Sequence, residues 1–392
     1  MRILHVIGSL NPADGGPPEV VCQIARASAP IGVDVEVVSL DEPGAGYLAA
    51  IGFPVHALGP AALGRFALSR PLRGWLRRNA SRFDGLVMHG IWTWPGVEVR
   101  RAAQAAGKPY GIFPHGALDP WFNQQYRLKH LKKLLYWPIQ YPVLRDAQRV
   151  FFTCDSERDL AATSFRPHRW TSEVIQLGAG EPSEDSEPQI QAWCQRCPQL
   201  RDRRYLLFLG RLHQKKGCDL LLRAFASTAS LAPNLDLVMA GPDQVGWQPA
   251  LQRIAEELGI ASRVHWPGMV TGDAKWGALR AADAFVLPSH QENFGIAVAE
   301  SLAAGRPVLI SNQVNIWPEI EAEHVGLVED DTQEGTNRLL RRWLEVPAAE
   351  RADMADRCHP CFSRRYSMRR TAEALRDSFQ KIKPPNPAIT GD

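Results

Sequence analysis

The chain has 392 residues, which is longer than one ordinary hydrophobic core and suits two domains of about 150 to 200 residues each. Its 45 Lys and Arg residues nearly balance its 42 Asp and Glu residues, and the formal net charge of +3 argues against nucleic acid as a partner. Hydrophobic residues at 45% and charged residues at 22% are typical of a soluble globular protein.

The stretch Met1 to Ile7 predicts a buried first strand rather than a signal peptide. It runs directly into Gly8-Ser-Leu-Asn-Pro and lacks a long apolar region with a cleavage site. No stretch approaches about 18 uninterrupted apolar residues, the length that a membrane-spanning helix needs. We therefore expect a cytoplasmic protein.

Short apolar runs alternate with helical patterns through the first half and predict a parallel, Rossmann-like sheet. The predicted strands are Ile3 to Ile7, Val33 to Ser39, Gly85 to His89, Pro109 to Pro114 and Arg149 to Thr153, and the predicted helices are Pro18 to Ala29 and Val97 to Ala106, the second closed by Gly107. The first strand leads into a loop with Gly15 and Gly16, which lacks the Gly-x-Gly-x-x-Gly fingerprint of dinucleotide sites. Two adjacent glycines before a helix let the backbone approach a phosphate, and a plain flexible turn explains them equally well.

Two loops of unusual composition follow two of these strands. One reads His89-Gly-Ile-Trp-Thr-Trp-Pro and the other Pro114-His-Gly-Ala-Leu-Asp-Pro-Trp, so both lie at strand ends where open α/β sheets bind ligands. Aromatic rings cover the apolar faces of a sugar while neighbouring polar groups bind its hydroxyls. Five residues are candidates for an acceptor side, the part of a site that binds the sugar receiving a transferred group: His89, Trp92, Trp94, Asp119 and Trp121. His115 is a candidate catalytic group, and the alternative is a structural role.

The stretch from 283 to 311 predicts a strand, a polar loop, a helix and a second strand. Ala284 to Leu287 is the first strand, the helix runs from Phe294 to Ala304 and ends at Gly305, and Glu292 and Glu300 lie eight residues apart. The first N–H groups of such a helix bind a negatively charged ligand, and the carboxylates accept bonds from sugar hydroxyls. This arrangement predicts a nucleotide-sugar site; the alternative is an ordinary β-α-β unit with two solvated glutamates.

A second candidate anion site follows the strand that begins at Tyr205. The sequence there reads Gly210-Arg-Leu-His-Gln-Lys-Lys-Gly, so Arg211 and Lys216 lie at the carboxyl end of a buried strand. Two cations there would neutralise a diphosphate leaving group without a metal ion. Surface cations without a role are the alternative. The next two predicted strands, Leu235 to Ala240 and Val264 to Val270, lead to Gly241 and carry Met269.

Four motifs together resemble the retaining GT-B glycosyltransferases of the large family GT4. They are Glu-x7-Glu after Pro-Ser, Ala-Ala-Gly-x-Pro-Val, Gly-Arg-Leu-x-x-x-Lys-Gly and Pro-His-Gly-x-Leu-Asp-Pro-Trp, and the likeness covers nearly the whole chain. The resemblance implies an α/β GT-B fold with two Rossmann-like domains whose parallel sheets face a central cleft. It places the nucleotide-sugar donor mostly on the second domain, the acceptor on the first and the reaction in the cleft, with retention of configuration.

The resemblance also implies roles for single residues. His115 contacts the transferred sugar, Glu292 faces its hydroxyls and Glu300 holds the ribose. The other donor-binding positions are Gly15, Gly16, Arg211, Lys216, Gly241, Met269 beside the base, and Asn293, Phe294, Gly295 and Ile296 beside the sugar.

The domain boundaries expected on this basis divide the chain into four parts. These are residues 1–180 for the acceptor-side domain, 181–203 for an acidic, proline-punctuated linker, 204–361 for the donor domain, and 362–392 for a helix that crosses back to the first domain.

Several motifs of other enzyme classes do not occur in the sequence. It has no Asp-x-Asp metal clamp, no Gly-x4-Gly-Lys-Ser/Thr phosphate loop and no His-Glu-x-x-His zinc helix. We therefore expect turnover without a metal or another cofactor. The alternatives are a sugar-nucleotide epimerase or phosphorylase with the same fold, and a non-catalytic carbohydrate-binding protein.

Two further patterns have competing interpretations. Cys194 and Cys197 form one Cys-x-x-Cys pair and Cys358 and Cys361 another, but the pairs lie about 160 residues apart, so coincidence is favoured over a zinc site.

Trp121 to Tyr136 predicts an amphipathic helix with Trp121, Gln125, Leu128, Leu131 and Leu135 on one face and Lys129, Lys132 and Lys133 on another. The lysines form either a solvated face or a weak contact with anionic lipid at the inner membrane surface, where a lipid-linked glycan for a surface polysaccharide would be the acceptor.

Overall fold

The computed structural model describes residues 1–14, 16–120 and 127–382, without the side chains of Arg65 and of residues 127–130. The expectations for Gly15 and Trp121, and for the side chain of Lys129, lie outside the described residues. The chain divides into two compact units, one formed by Met1–Gly178 with the C-terminal residues from Met368 and the other by Ala179–Ser367.

The first unit contains a seven-stranded parallel sheet, as expected. Its strands are β1 (Arg2–Val6), β2 (Asp34–Ser39), β3 (Val55–Ala57), β4 (Gly85–His89), β5 (Tyr110–Phe113), β6 (Arg149–Phe152) and β7 (Ser172–Val174), in the order β3-β2-β1-β4-β5-β6-β7. Its helices are α1 (Gly16–Ser28), α2 (Arg70–Asn79), α3 (Pro95–Ala106), α4 (Arg127–Arg145) and α5 (Asp155–Ser164). The strand order reverses between β1 and β4, so this sheet has a topological switch point at which α/β proteins bind ligands.

The strands of the first unit are apolar on both faces because helices cover both sides of a parallel sheet. The core includes Leu4, Leu86, Ile112 and Phe152, none of which exposes its side chain. At its C-terminal end, α3 closes on Gly107, whose φ of 62° lies in the left-handed region that glycine adopts readily.

The second unit contains a six-stranded parallel sheet. Its strands are β8 (Arg204–Leu209), β9 (Leu235–Ala240), β10 (Val264–Gly268), β11 (Ala284–Leu287), β12 (Val308–Ser311) and β13 (Gly326–Glu329), in the order β10-β9-β8-β11-β12-β13. Its helices are α6 (Glu187–Arg196), α7 (Cys218–Thr228), α8 (Gln248–Glu257), α9 (Gly272–Ala281), α10 (Ile296–Ala303), α11 (Trp317–Ala322), α12 (Gln333–Glu345) and α13 (Ala348–Arg365).

The expectation of a linker at 181–203 is wrong. Within this stretch α6 packs along α9, and Trp193 is 2% exposed. The helices approach closely because Gly277 has no side chain: a Cβ there would overlap the backbone carbonyl of Gln189. The sequence did not reveal this contact because the acidic residues 181–186 precede the helix and only Gln189 and Trp193 are buried within it.

The C-terminal segment also differs from the expected single helix that begins at Phe362. Phe362 lies inside α13 of the second unit, and a separate helix, α14 (Met368–Lys381), belongs to the first unit. Thr371 Oγ1 of α14 donates a hydrogen bond to the Gln176 carbonyl at 2.9 Å, and Ser378 Oγ donates to Glu173 at 2.6 Å. The chain therefore changes units after Ser367.

Candidate functional site

Three strand ends of the second unit are bound together by their backbones. The Gly210 N–H donates to the Ala240 carbonyl at 2.9 Å, and the Gly241 N–H donates to the Gly268 carbonyl at 2.8 Å. Gly241 has a φ of 145°, and a Cβ there would overlap the carbonyl oxygen of Gly210. Only glycine fits this approach, so Gly241 shapes the carboxyl edge of the sheet on which Arg211 and Met269 lie.

Lys216 ends a short 3-10 turn and forms an ion pair with Glu292. Both side chains are mostly buried, with 15% and 17% of their surfaces exposed. Burial, with the nearby charges of Lys215 and Arg211, lowers the pKa of Lys216 to about 7. The Glu292 carboxylate acts in the opposite direction because it stabilises the ammonium form. An anion that arrives here would meet a lysine that already has a carboxylate partner.

The loop that carries Glu292 is held at several points. The Glu292 N–H donates to the Gln313 carbonyl at 2.9 Å, and the Glu292 carbonyl accepts from the Asn315 N–H at 3.0 Å. Ser289 Oγ and the His290 N–H donate to the Lys215 carbonyl at 2.9 and 2.8 Å. These bonds hold the loop after β11 against the loop after β8, so Glu292 and Lys216 are positioned by the same contacts.

Gly295 precedes α10 and has a φ of 77°. A Cβ there would lie 3.1 Å from Val298 and 3.3 Å from Val314, so a larger residue is disfavoured by conformation and by space. The first N–H groups of α10, those of Ile296 and Ala297, have no intrahelical acceptor. Phe294 is 3% exposed and packs edge-on against Tyr366. The Phe294 side chain is therefore part of the core, and only its backbone could contact a ligand.

Glu300 is the fifth residue of α10 and is 5% exposed. It lies closer to the start of the helix than the sequence predicted, because the helix begins at Ile296 rather than Phe294. Lys275 of α9 donates a hydrogen bond to Glu300 Oε1 at 2.7 Å. No motif marks Lys275 in the sequence. The structure therefore matches each predicted glutamate with its own lysine.

Arg211 and Met269 lie on the exposed part of this edge. Arg211 Nη1 donates to Gln244 Oε1 at 3.4 Å, and its charge is near enough to lower the pKa of Lys216. Met269 is 59% exposed. Together with the buried pairs at Lys216 and Lys275, these residues line the carboxyl edge of the second sheet with separate cationic and anionic groups.

The first unit contains a chain of three histidines. His5 Nδ1 lies 2.8 Å from His89 Nε2, and His89 Nδ1 lies 2.9 Å from His115 Nε2. Adjacent rings are stacked with centroids 5.0 and 5.2 Å apart. Burial lowers the pKa of His5 to about 3 and that of His115 to about 4, and burial with the two neighbouring histidines lowers the pKa of His89 well below 6.5. All three imidazoles are therefore neutral near pH 7.

Two tautomer arrangements satisfy both hydrogen bonds of this chain. Either every ring carries its proton on Nδ1, or every ring carries it on Nε2. Within the described part of the protein, His5 Nε2 is buried without a hydrogen-bond partner, so the second arrangement would leave a buried N–H unpaired. Since an unpaired buried N–H is rarer than an unpaired acceptor, we expect the first arrangement, in which His115 presents Nδ1–H to a ligand.

The sequence did not identify His5 or Glu157 as members of this site. His5 interrupts the apolar run of β1, which is the one signal that marks it. Glu157 is 4% exposed and accepts from the Gly116 N–H at 2.7 Å and from the Thr153 N–H at 2.7 Å. It therefore fixes the loop in which His115 has a φ of 52°.

The predicted acceptor-side residues differ in what they leave available to a ligand. Trp92 Nε1 donates to the Ala117 carbonyl at 3.1 Å, and Trp94 Nε1 donates to Glu98 at 2.9 Å. His89 is 3% exposed and Asp119 is 7% exposed. The two indoles are half-buried and pack against neighbouring side chains. Phe165 and the Lys133 ammonium lie near the Trp92 ring, and Phe66 and the Arg101 guanidinium lie near the Trp94 ring.

The expected faces of α4 are partly wrong. Leu131 is 57% exposed and Leu135 is 76% exposed, so these leucines do not form a buried face. Lys132 is exposed, whereas the Lys133 ammonium lies 5.2 Å from the centre of the Trp92 ring. The helix instead presents four exposed apolar side chains beside the exposed Lys132. They are Leu131, Leu134, Leu135 and Ile139.

The cysteines of the two Cys-x-x-Cys pairs are free thiols. Burial raises the pKa of Cys361 to about 11 and raises that of Cys358 further, while Cys358 Sγ donates to the Met354 carbonyl at 3.2 Å. Thiolates are the form that binds zinc, and burial disfavours them here. In residues 1–14, 16–120 and 127–382 there is no group of three or more His, Cys, Asp or Glu side chains arranged to hold a metal ion.

In the same residues, no helix combines the length and the apolar character needed to cross a membrane.

Comparison with known proteins matches both units to glycosyltransferase families. Residues 195–358 match the model described as glycosyl transferases group 1, and residues 15–178 match the glycosyl transferase 4-like domain. Because the two models together span most of the chain, the protein belongs to the GT4-type, group 1 glycosyltransferases.

Relatives of known name match over different shares of their length. A D-inositol 3-phosphate glycosyltransferase of Saccharomonospora viridis is 32% identical over 185 residues, which are 45% of this chain and 42% of that protein. The chain thus spans less than half the length of several relatives that it matches. A GDP-mannose:cellobiosyl-diphosphopolyprenol alpha-mannosyltransferase of Xanthomonas oryzae is 25% identical over 322 residues, which are 80% of this chain and 79% of that protein.

Solved structures confirm the fold. The crystal structure of Anabaena HepE in complex with UDP and glucose superposes with a TM-score of 0.76 and 17% sequence identity over 97% of this chain and all of that one. The two parallel α/β units are therefore those of a GT-B glycosyltransferase, as the sequence predicted.

Proposed function

We propose that the protein transfers a sugar from a nucleotide sugar to a glycan or lipid-linked glycan, with retention of configuration. One observation carries this proposal: Arg211, Lys216 and Glu292 lie on loops at the carboxyl edge of the second sheet, and Glu300 lies in the first turns of α10, which begins at the same edge. Such an edge offers cations for a diphosphate and carboxylates for sugar and ribose hydroxyls.

Departure of the nucleoside diphosphate breaks the bond between the anomeric carbon and the phosphate oxygen, and negative charge builds on the phosphate. Arg211, Lys216 and the first N–H groups of α10 would stabilise that charge, while the sugar becomes oxocarbenium-like. Lys216 would exchange its Glu292 partner for the diphosphate, which leaves Glu292 free to accept bonds from the sugar. No described side chain stands out as a nucleophile for a double displacement. We propose attack from the same face, in which the acceptor hydroxyl oxygen bonds to the anomeric carbon and its proton passes to the departing phosphate oxygen.

Roles for the remaining residues follow the family motifs. His115 would donate its Nδ1–H to a hydroxyl of the transferred sugar, and the Met269 backbone would contact the base. We propose that the exposed parts of Trp92 and Trp94 contact the acceptor. The relative named for a diphosphopolyprenol-linked acceptor supports a lipid-linked glycan as the acceptor, and we propose a surface polysaccharide as the product.

Calorimetry with UDP and GDP tests the donor site. We expect saturable binding of one of the two nucleotides, because both carry the diphosphate that Arg211 and Lys216 would bind. Binding of neither nucleotide would contradict the proposal. Product analysis with nucleotide sugars then separates a transferase from an epimerase, which returns an isomer of the donor, and from a binding protein, which returns the donor unchanged.

The two glutamates should give different kinetic defects. Glu300→Gln should weaken donor binding about tenfold, because it replaces the carboxylate that would bind the ribose. Glu292→Gln should lower kcat about tenfold or more without weakening the donor, because the change removes the partner of Lys216 and frees this ammonium for the diphosphate. Equal changes of KM and kcat in both variants would contradict the assigned roles.

Turnover should not depend on a divalent ion. Because Arg211 and Lys216 supply the positive charge at the diphosphate, we expect the rate in excess chelator to equal the rate without it. The measurement is the initial rate of nucleoside diphosphate release before and after chelation. Loss of activity in chelator that magnesium or manganese restores would refute this assignment.

We also propose weak docking of α4 on anionic membranes. Lys132 would add about 1 kcal/mol near an anionic surface, and the exposed leucines would enter the interfacial region. Co-sedimentation at low salt should show more protein with anionic than with neutral vesicles, and Leu131→Gln with Leu135→Gln should reduce the pelleted fraction. Leu231→Gln is the matched control, since Leu231 is 62% exposed in the other unit. Equal pelleting with both vesicle types, or no change on converting Lys129, Lys132 and Lys133 to Gln, would exclude this contact.

A further inference from the structure

A cavity of about 380 Å³ lies at the amino edge of the second sheet. Arg204 begins β8, Asp283 precedes β11, and Arg306 and Pro307 precede β12. In a parallel sheet this edge is opposite the carboxyl edge that carries Lys216 and Glu292. The cavity is therefore separate from the donor site. The other residues that line it are Trp343, Ala348, Arg351, Ala352 and Ala355.

The charges around this cavity are unbalanced. Three guanidinium groups and one carboxylate line it. Asp283 is engaged by Arg204, whose Nε lies 2.9 Å from the carboxylate. Arg306 and Arg351 have no carboxylate within ion-pair distance in the part of the chain that the structure describes. Two cations thus remain without an acidic partner.

Several buried donors at the cavity also lack acceptors. Among the described residues, Arg306 Nε, Arg351 Nε and Trp343 Nε1 are buried and have no hydrogen-bond partner. Trp343 is 1% exposed, and the Arg351 guanidinium lies 5.5 Å from the centre of its ring. All three atoms are donors only, and leaving a buried donor unpaired is unfavourable. The missing complement is a group rich in acceptors.

The start of α13 adds to the same preference. This helix of 18 residues begins at Ala348, which lines the cavity, and its first N–H groups carry the positive end of the helix dipole. Burial lowers the pKa of Arg306, and a nearby anion would offset this effect because it stabilises the charged guanidinium. A helix start, two unpaired arginines and an indole N–H all favour an anion.

We propose that this cavity binds a phosphate group, either inorganic phosphate or the phosphate of a small metabolite, at a site independent of the donor. Arg306 and Arg351 supply charge-assisted hydrogen bonds, and the N–H of Trp343 supplies a further donor. The alanines and the Trp343 ring leave space beside the phosphate for an organic group.

Calorimetric titration of inorganic phosphate into the full chain at low ionic strength tests this site. Arg306→Gln with Arg351→Gln should weaken phosphate binding about tenfold or more. Lys216→Ala should lose only phosphate bound at the donor site and should keep a saturable phosphate site that the double variant lacks, which separates this cavity from the donor site. Arg342→Gln is the matched control: Arg342 lies beside Trp343 on α12 and pairs with Glu329 at 2.6 Å. Loss of binding in Lys216→Ala with retention in the double variant would overturn the proposal.

Two further measurements keep the test independent of folding defects. Trp343→Phe preserves the packed ring and removes the N–H donor, so it should also weaken phosphate binding. Without phosphate, the double variant should melt no lower than the wild-type protein, because it removes two partly buried charges that have no acidic partner. A hexose phosphate that binds more tightly than inorganic phosphate would identify a phosphorylated metabolite as the ligand, and the reverse order would identify free phosphate. No saturable binding of either to the wild-type chain would refute the site.

Discussion

Replacement of Lys216 with Ala will weaken the binding of a nucleoside diphosphate by about 1.5 to 3 kcal/mol, the scale of a hydrogen bond between charged groups. The structure adds a second reason for a large effect. Lys216 is the ion-pair partner of the largely buried Glu292, so its removal leaves a carboxylate without a counter-charge where the diphosphate must bind. Calorimetric titration of the preferred nucleotide into the two proteins measures the difference.

The neighbouring lysine provides a matched control for this prediction. Lys215 lies in the same 3-10 turn, and its carbonyl holds the loop of Glu292. Lys215→Ala preserves that carbonyl and should weaken binding less than Lys216→Ala does. A second variant, Lys216→Ala with Glu292→Gln, should recover part of the lost affinity because it removes the uncompensated carboxylate. Equal affinities of wild-type protein and Lys216→Ala would remove Lys216 from the donor site.

Acidification below pH 6.5 will destabilise the first unit through its histidine chain. An unfolded histidine has a pKa of about 6.5, whereas burial lowers the pKa of His115 to about 4 and that of His5 to about 3. Folding therefore favours the neutral forms. Their stabilisation is fully present above pH 6.5 and is lost as the pH falls towards the folded pKa values. Each such histidine contributes a slope of about 1.4 kcal/mol per pH unit in this window.

Urea unfolding between pH 6.5 and about 5 gives the free energy of unfolding from which this slope is measured. Hydrogen exchange of the amides in β1 and β4 shows that the transition is that of the first unit. His5→Phe removes one titrating group and should reduce the slope by about 1.4 kcal/mol per pH unit, whatever it does to the stability at neutral pH. His359→Gln, at an exposed position of the second unit, is the control. An unchanged slope in His5→Phe would show that His5 is not held neutral in the folded protein.

The sequence predicted where several candidate residues lie relative to the strands and helices, while their roles stay predictions. Glu292, Glu300, Lys216 and His115 stand in motifs with defined spacing, and the structure places each at a strand end or at the start of a helix. The pairing of Lys216 with Glu292 was not predicted, because the residues are 76 positions apart and their contact depends on how two loops are bound together. Contacts of this kind follow from tertiary packing.

The groups that the sequence missed lie inside regular elements. His5 is one residue of an apolar strand, and Lys275 and Glu157 lie on helices among other charged residues. In such positions the sequence alone does not show which residue a polar side chain will contact. The segment 181–203 was misassigned for a related reason. Its acidic start dominates the composition, while the side chain that anchors it, Trp193, is a single buried residue. The exposed leucines of α4 show the opposite error, because helical spacing alone does not establish that a face is covered.

The most direct test of this account is the release of nucleoside diphosphate from a panel of UDP- and GDP-linked sugars by the purified full-length chain in excess chelator. We expect slow, saturable hydrolysis of one donor without an acceptor, faster release when a suitable glycan is added, and a rate reduced about tenfold or more in Glu292→Gln. If no donor in the panel is bound or hydrolysed, or if the rate is the same in wild-type protein and Glu292→Gln, then the carboxyl edge of the second sheet is not a glycosyl-transfer site.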